Sequence, residues 1–307
     1  MSLKDINSNH QVFNHLKISF YVMTLIVDGR KIAGKMKEKI SLEVKNLISK
    51  YGKTPTMGTI IIGDNKESEL YLKLREKASS EVGIKSKIYR FSEDVEEREV
   101  IETIEELNSS EEIHGIIVQQ PIPEHISLHR LLKKLSPDKD VEGITPKNLG
   151  GLIIGKEDII PCTPLAALKI LEHINVQLEG ADVVIVNHSP IVGKPLATLL
   201  LNRNATVSVC HIFTKNLKEY TRKADILITA TGVPRLIGKE HVKEGSIVID
   251  VGISKTEKGV CGDVAFDEVK EIVSAITPVP GGVGPVTIAS ALENLLKLYK
   301  RKVGEEK

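Results

Sequence analysis

Hydrophobic positions follow two alternating patterns along the chain. Short continuous apolar runs, such as residues 56–63 and 114–118, are typical of strands buried on both faces. Between them come longer segments whose apolar residues recur every three or four positions, as in amphipathic helices. The first of these segments ends at Gly52 and carries Ile32, Met36, Ile40 and Val44. The alternation of strands and helices predicts parallel α/β layers connected by right-handed crossovers.

A change in this pattern near residue 145 divides the chain into two α/β domains. A polar segment at residues 136–140 ends the first series of strands, and five further β-rich segments separated by helices follow it. That arrangement is typical of a nucleotide-binding sheet. The predicted units are an N-terminal extension at residues 1–23, a first domain with a parallel sheet at residues 24–145 plus 286–303, and a Rossmann-like NAD(P)-binding domain at residues 146–285.

Composition narrows the classes of function. The 307 residues have a formal net charge of +1 and no Trp, so they lack the basic field and the stacking platforms typical of nucleic-acid binding. No apolar run approaches the ~20 residues of a membrane helix. The three cysteines, Cys162, Cys210 and Cys261, are widely spaced. Their spacing favours a reducing, cytoplasmic location over a disulfide framework, and neither they nor the histidines predict a metal site.

Residues 276–287 read ITPVPGGVGPVT and lie between an apolar segment and the last helical pattern. Proline fixes φ and lacks an N–H donor, while glycine reaches φ values that other residues avoid. The stretch therefore predicts a rigid loop. It is either a tight connector or a wall that lets a flat ligand approach the backbone.

A second loop, VNHSPIVGKP at residues 186–195, follows the first strand of the second series and leads into a helix. Such a turn presents free N–H groups and the positive helix end to a phosphate. The fingerprint GxGxxG is absent, but Asn187 and Ser189 can both bond a phosphate. Where an NAD-dependent enzyme places an acid for the ribose, this chain has His211 and Lys215. The loop therefore favours NADP as cofactor without excluding NAD.

Polar residues outside these loops add candidate chemistry. Tyr71 and Arg75 stand four residues apart and share one face of a predicted helix, as they would on a solvated surface or in a site. Gln119 and Gln120 end a buried strand, where sites of α/β proteins usually lie. Asp140 is an acidic loop residue, and most such residues are only solvated. The residue types alone leave these alternatives open.

In this order, the motifs resemble those of the methylenetetrahydrofolate dehydrogenase/cyclohydrolase family from about residue 25 to residue 298. IVQQPIP is similar to the family's VQLPLP and PDKDVEG to its PDKDVDG. PCTP, IVGKP, VIDVGI, GDV and ITPVPGGVGP also stand where the family has them. The resemblance implies two α/β domains with a cleft between them, tetrahydrofolate derivatives in the cleft, NADP on the second domain, and a homodimer.

The resemblance also implies roles for individual residues. Tyr71 matches the tyrosine that stacks on the substrate, Gln119 the catalytic-site glutamine, and Asp140 the aspartate that binds the pterin. The loop that borders the cleft is expected to bring Pro280, Gly281 and Gly284 to the substrate. Cofactor contacts are expected from Asn187, His188, Ser189, Ile191, Val192, His211, Thr231, Gly232, Gly252 and Ile253.

Three residues depart from the family pattern. Arg75 replaces the lysine credited with the hydrolytic step, and arginine does not lose its proton at accessible pH. His188 replaces an arginine often used for the 2′-phosphate and carries less than a full charge at neutral pH. Gln120 replaces an apolar residue.

We therefore expect NADP-dependent oxidation of 5,10-methylenetetrahydrofolate to the 5,10-methenyl cation, a step that needs no general base. Hydrolysis of that cation to 10-formyltetrahydrofolate is expected at a rate reduced by Arg75, which remains a candidate catalytic residue. The alternatives are a dehydrogenase without the hydrolytic step, a non-catalytic folate- or nucleotide-binding module, and another two-domain NADP dehydrogenase of the shikimate dehydrogenase type.

Overall fold

A computed structural model describes residues 23–257 and 259–305. The predicted N-terminal extension, apart from Met23, lies outside the described residues. The strands are β1 (Leu25–Ile26), β2 (Thr56–Ile62), β3 (Lys85–Phe91), β4 (Gly115–Val118), β5 (Asp182–Val186), β6 (Thr206–Cys210), β7 (Ile226–Thr229), β8 (Ile247–Asp250), β9 (Ser254–Thr256), β10 (Gly259–Cys261) and β11 (Ala275–Ile276).

The helices are α1 (Gly29–Tyr51), α2 (Lys66–Glu81), α3 (Glu97–Ser109), α4 (Leu128–Lys134), α5 (Pro146–Ile153), α6 (Cys162–His173), α7 (Gly193–Leu201), α8 (Leu217–Thr221), α9 (Phe266–Val269) and α10 (Val283–Val303). Asp28 begins α1 by accepting the Arg30 N–H at 2.9 Å, and Gly52 ends it with φ +69°. None of the helices in the described ranges combines the length and apolar content needed to cross a membrane.

The first sheet contains three parallel strands in the order β3-β2-β4. Every residue of β2 is buried, as a central strand covered on both faces requires. Helix α3 places Val100, Ile104 and Leu107 against one face of this sheet. The predicted parallel α/β layer is confirmed. Helix α4, which the hydrophobic pattern did not indicate, completes the cover with Leu131 and Leu132.

The second sheet contains six parallel strands in the order β1-β11-β8-β7-β5-β6. Strand β1 was predicted to belong to the first domain, but it pairs with β11, where Leu25 lies opposite Ala275. A two-residue strand has no periodicity that could assign it to one sheet, so long-range pairing decides its place. The short antiparallel hairpin β9–β10 was also not predicted.

Helix α10 packs against α1, α2 and β4 of the first domain and against α6. It buries Leu292, Leu295 and Leu298 there. Within α10, the Asn294 side-chain amide donates to the carbonyl oxygens of Val141 and Ile160, both at 2.9 Å. The last helix therefore fixes the segment that joins the two sheets.

Candidate active site

The predicted site residues lie at the carboxyl ends of the parallel strands. Gln119 follows β4, the loop of residues 187–192 follows β5, and Thr231 lies just beyond β7. Ile191 of the loop after β5 packs against the first-domain cluster that contains Ile60 and Val118. The carboxyl ends of the two sheets therefore face each other, as expected for a ligand site of α/β proteins.

Tyr71 and Arg75 form one unit on helix α2. The guanidinium carbon of Arg75 lies 5.7 Å from the centroid of the Tyr71 ring. Arg75 is only 3% exposed, so the pair is not the solvated surface that helical spacing alone permits. Arg75 Nη2 makes a long hydrogen bond of 3.5 Å to Thr59 Oγ1, and Nε has no partner in the described part of the chain.

The Tyr71 hydroxyl stays protonated across the working range of pH. Burial raises the pKa of this hydroxyl well above its ordinary value, although the nearby Arg75 charge lowers it. The ring is therefore a neutral stacking surface beside a fixed positive charge.

Gln119 keeps one polar atom free inside the protein. Its Nε2 donates to the Gln120 carbonyl oxygen at 2.9 Å. The same carbonyl oxygen accepts from Ser68 Oγ at 3.1 Å. Gln119 Oε1 is buried without a hydrogen-bond donor among the described residues. An unsatisfied buried acceptor costs about 1–3 kcal/mol, so a ligand that donates here would recover that energy.

The Asp140 carboxylate is committed to hydrogen bonds within its own loop. It is 0% exposed, and its oxygens accept from the N–H groups of Gly143 (2.9 Å) and Thr145 (2.7 Å) and from Asn148 Nδ2 (2.9 Å). These bonds close the turn before α5, and they argue against the contact with the pterin that the resemblance implies. The sequence could have indicated this, because an acid shortly before a helix start often caps backbone N–H groups.

Glu142, two residues further on, is a titratable residue that the sequence did not single out. Its side chain is partly exposed. Burial raises the pKa of Glu142 to about 7, the Arg75 charge lowers it, and the Asp140 charge raises it. The available signal was the second acid in PDKDVEG, but the sequence does not tell which of the two acids is bonded within the loop.

Asn187 shapes the cofactor loop from within. Its Oδ1 accepts from the N–H groups of Ser189 (2.8 Å) and Gly193 (2.9 Å), and its Nδ2 donates to the Ala230 carbonyl at 2.6 Å. A Cβ at Gly193 would clash with the Asn187 carbonyl, so only glycine allows this close turn. The Ser189 hydroxyl accepts the Val192 N–H at 3.1 Å. Direct phosphate contacts from Asn187 and Ser189 stay predictions.

His188 and His211 lie side by side at the ends of β5 and β6. Their ring centroids are 4.7 Å apart, with planes inclined by 34°. His211 Nδ1 accepts the Phe213 N–H at 3.2 Å, so the neutral ring carries its proton on Nε2, which becomes a donor. The pair supplies hydrogen-bond donors at the strand ends where a ribose phosphate binds in nucleotide-binding sheets.

Two buried carboxylates hold the remaining cofactor loops. Asp263 Oδ2 accepts from Thr229 Oγ1 at 2.8 Å and from the Thr231 N–H, and Asp250 Oδ1 accepts from the Gly252 N–H at 3.0 Å. Burial raises the pKa of Asp250 to about 7, although hydrogen bonds from backbone N–H groups oppose the shift. These acids were not predicted, although VIDVGI and GDV contain them. Across the described ranges, no three His, Cys, Asp or Glu side chains form a metal site.

The loop of residues 276–287 packs tightly onto the start of α1. A Cβ on Gly29 would overlap the Gly282 carbonyl, so this contact requires glycine. Gly281 has φ +106° and lies beside the Arg30 guanidinium. Pro280 is exposed, while Gly284 already lies in the first turn of α10. The prediction of a rigid loop fits these contacts, and substrate contacts from Pro280, Gly281 and Gly284 stay predictions.

The two halves of the chain match two family models. Residues 27–142 match the tetrahydrofolate dehydrogenase/cyclohydrolase catalytic domain, and residues 161–303 match the NAD(P)-binding domain of the same family. The bifunctional protein FolD of Aquifex aeolicus is 50% identical over 281 residues, which cover 91% of this chain and 97% of the relative.

Solved structures give the same result. FolD from Campylobacter jejuni, described as a bifunctional methylenetetrahydrofolate dehydrogenase/cyclohydrolase, superposes with a TM-score of 0.89 at 46% identity, over 91% of this chain and 99% of that chain. The Trypanosoma brucei enzyme, solved with NADP and an inhibitor, has a TM-score of 0.88 at 36% identity, over 91% and 98%. The chain belongs to the tetrahydrofolate dehydrogenase/cyclohydrolase family.

Proposed function

We propose that this protein oxidises 5,10-methylenetetrahydrofolate to the 5,10-methenyl cation with NADP⁺ and hydrolyses that cation to 10-formyltetrahydrofolate. The observation that carries the proposal is the contact of Ile191, in the cofactor loop, with the cluster that contains Ile60 and Val118. This contact brings the cofactor loop to the sheet edge that bears Gln119. The FolD relatives are named as bifunctional, which supports both reactions.

The residues of the second domain fit a dinucleotide. Val233 and Ile253 are exposed apolar side chains at the ends of β7 and β8, and a Cβ on Gly232 would meet open space. Ser254 Oγ donates to the Gly232 carbonyl at 2.8 Å and ties the two loops together. NADP⁺ accepts the hydride when bound. His188 and His211 are the residues that we assign to its 2′-phosphate.

The first domain supplies the substrate contacts. Tyr71 offers a ring for stacking, and Gln119 Oε1 offers an acceptor that the described protein leaves unused. Oxidation needs no general base because the product cation is delocalised over two nitrogens. The contribution of these residues is therefore to hold the methylene carbon in position for hydride transfer.

Hydrolysis of the methenyl cation makes a different demand, because water must lose a proton as it attacks. Arg75 cannot accept that proton. Its buried charge, with Nε unpaired among the described residues, can stabilise negative charge that develops on the attacking oxygen. The proton must pass to another group.

We also propose that the protein is a cytoplasmic homodimer. Strand β6 ends the six-stranded sheet and pairs only with β5 among the described strands. Val209 on this strand is exposed, as are Ile153, Ile154 and Leu201. An unpaired edge with apolar side chains fits a second copy related by a two-fold axis. Val209→Lys should lower the mass measured by light scattering to that of a monomer, while Val260→Lys on β10 should not.

The proposed activity is tested by following NADPH formation with 5,10-methylenetetrahydrofolate, in parallel with NAD⁺. We expect turnover with NADP⁺ and a second trace showing loss of the methenyl absorbance. Absence of reduced cofactor with both nucleotides would refute the enzymatic assignment and leave a binding module. The same assay with shikimate as substrate serves as a control. NADPH formation with shikimate alone would identify a dehydrogenase of the shikimate dehydrogenase type.

A further inference from the structure

A small cavity lies at the amino ends of the strands of the first sheet, at the opposite edge from Gln119. His114 precedes β4 and Gln119 follows it, so at a rise of roughly 3.3 Å per residue the two lie about 16 Å apart. The cavity has a volume of about 230 Å³ and is lined by Tyr51, Lys53, Glu111, His114, Lys302 and Val303. It is therefore separate from the predicted substrate and cofactor residues.

The side chains of the cavity wall carry an excess of positive charge. Lys302 Nζ pairs with Glu111 Oε1 at 2.8 Å, which neutralises the acid of the wall. Lys53 makes no ion pair with any described residue. The buried Lys139 ammonium donates at 2.6 Å to the carbonyl oxygen of Ser110, the neighbour of Glu111 in the chain, and it too lacks a carboxylate partner within the described ranges. Two ammonium groups are thus left without a counter-charge.

His114 brings an unused hydrogen-bond donor to the cavity wall. The side chain is 5% exposed, and its Nδ1 accepts the Thr56 N–H at 3.2 Å. The neutral ring therefore carries its proton on Nε2. Nε2 has no hydrogen-bond partner in the described part of the chain. A buried donor without a partner is costly, so an acceptor bound in the cavity would recover free energy.

The lysines of the wall are not needed to cap the two helices that end beside it. The Gly52 N–H donates to the Ile48 carbonyl oxygen at 2.8 Å at the end of α1, and the Gly304 N–H donates to the Arg301 carbonyl oxygen at 3.2 Å at the end of α10. Glycine in the left-handed conformation is the usual cap for such ends. The helix ends are thus closed without Lys53, which lies beyond α1.

The positive groups around the cavity repel one another. Burial lowers the pKa of His114 to about 4, and nearby positive charges act in the same direction. These charges belong to Lys139, Lys53 and Lys302, and Glu111 opposes them. An anion in the cavity would turn this repulsion into attraction. The donors come from the loop before β2, the start of β4 and the end of α10, so a tetrahedral oxyanion suits them better than a planar carboxylate.

We propose that the cavity binds a phosphate-type dianion through Lys53, Lys302 and the Nε2–H of His114. Its volume lies below the ~300 Å³ at which pockets for drug-sized ligands begin, so the ligand is a small anion and not a nucleotide or a folate. The dianion can be inorganic phosphate or the phosphoryl group of a small ester. Bound there, it joins the end of α10 to the first sheet. The site is independent of the proposed reaction.

Phosphate binding by the full-length protein tests the site, with saturating NADP⁺ present to fill the dinucleotide site. Titration calorimetry with inorganic phosphate should show one saturable site per chain, with a Kd on the order of 1 mM. Lys53→Gln should raise this Kd about tenfold, because a charge-assisted hydrogen bond is lost. Glu111→Gln should lower it at least about threefold, because Lys302 is released from its ion pair. Lys39→Gln, on the exposed face of α1, is the matched control and should leave the Kd unchanged.

A second measurement separates the site from the general effect of salt. Phosphate should raise the thermal unfolding midpoint of the wild type more than that of Lys53→Gln, because only the wild type gains the bound anion. Glycerol phosphate distinguishes the two sources of the dianion. Tighter binding than that of inorganic phosphate identifies an ester as the ligand, and weaker binding identifies free phosphate.

Three results would overturn the proposal. The first is a titration with phosphate and with glycerol phosphate that shows no saturable binding. The second is one Kd shared by the wild type, Lys53→Gln and Glu111→Gln, which would place the anion elsewhere. The third is an equal rise of the unfolding midpoint with sodium chloride at the same ionic strength, which would assign the effect to charge screening.

Discussion

The guanidinium of Arg75 lies over the ring of Tyr71, with 5.7 Å between the guanidinium carbon and the ring centroid. The two residues stand four positions apart on α2, and Arg75 is buried. A cation thus lies over the ring that the family resemblance assigns to substrate stacking.

Removing the Tyr71 ring should weaken substrate binding. Tyr71→Ala is expected to raise KM for methylenetetrahydrofolate by about tenfold, because ring stacking contributes on the order of 1 kcal/mol beyond area burial. Tyr71→Phe keeps the ring and should leave KM within about twofold. Initial rates of NADPH formation measure both. A normal KM in the alanine variant would show that the ring does not contact the substrate.

Asp140 should matter for stability and not for substrate affinity. Asp140→Ala leaves two backbone N–H groups and the Asn148 amide without their acceptor, so we expect a loss of at least about 3 kcal/mol in the free energy of unfolding. Asp140→Asn retains one acceptor and should lose about 1–3 kcal/mol. Urea unfolding measures these changes, and the exposed Asp138→Asn is the control.

The same variants decide whether Asp140 binds the pterin. With Asp140→Asn, the KM of the folded fraction should stay within about threefold of the wild-type value, since the carboxylate is buried and bonded within its own loop. A large rise in KM with unchanged stability would restore the contact implied by the family resemblance.

Gly252 should tolerate no side chain. A Cβ there would overlap the Asp263 carboxylate, which holds the Thr231 N–H. Gly252→Ala is expected to raise the Kd for NADP⁺ at least about tenfold, because the loops that bear Thr231 and Ile253 must shift. Gly34→Ala, in an open position of α1, is the control and should stabilise the fold by about 0.5–1 kcal/mol. Titration calorimetry measures the Kd for NADP⁺. Equal affinities of the wild type and Gly252→Ala would contradict the prediction.

His114 should make the fold sensitive to acid. Burial lowers the pKa of His114 to about 4, helped by the charges of Lys139, Lys53 and Lys302. The unfolded chain, in which His114 has its ordinary pKa of about 6.5, therefore binds a proton more tightly than the native state does. The contribution of neutral His114 to stability is fully present above that pH and is lost as the pH falls towards 4. By linkage, the free energy of unfolding should fall by about 2 kcal/mol between pH 7 and pH 5.

In the wild type, His114 Nδ1 accepts the Thr56 N–H at 3.2 Å. His114→Asn keeps a side-chain acceptor for this N–H but cannot become positively charged at low pH. Its free energy of unfolding should vary less between pH 7 and pH 5 than that of the wild type. Urea unfolding at each pH measures the free energies. If they fall equally with pH in the two proteins, other groups cause the acid sensitivity.

Much of the fold was predictable because its longer elements are strongly patterned. The apolar run of β2 and the repeat of α1 up to Gly52 identified these elements within a few residues. The place of β1 was not predictable, because two residues cannot show which sheet they join. The start of α10 at Val283 was also unexpected, since Pro285 is tolerated within the first turn of a helix.

The candidate site was predictable only as far as its motifs were specific. The loops after β4 and β5 followed from the buried strands before them, because parallel strands carry ligands at their carboxyl ends. The positions after β7 and β8 came from the family resemblance. The bonding of Asp140 within its own loop did not follow, because burial and hydrogen bonding of an acid depend on the folded loop. The coupling of Arg75 to Glu142 was hidden for the same reason, since the two residues are far apart in sequence.

The pairing of β1 with β11 and the return of α10 to the first domain mean that each half of the molecule is completed by a terminal segment of the other. A fragment cut near residue 145 would separate β1 from its sheet and the first domain from α10. Neither half is thus a portable module. Because the chain crosses between the halves at both ends, strand pairing and helix packing hold the folate and nucleotide sites in one orientation more firmly than a single linker between independent domains could.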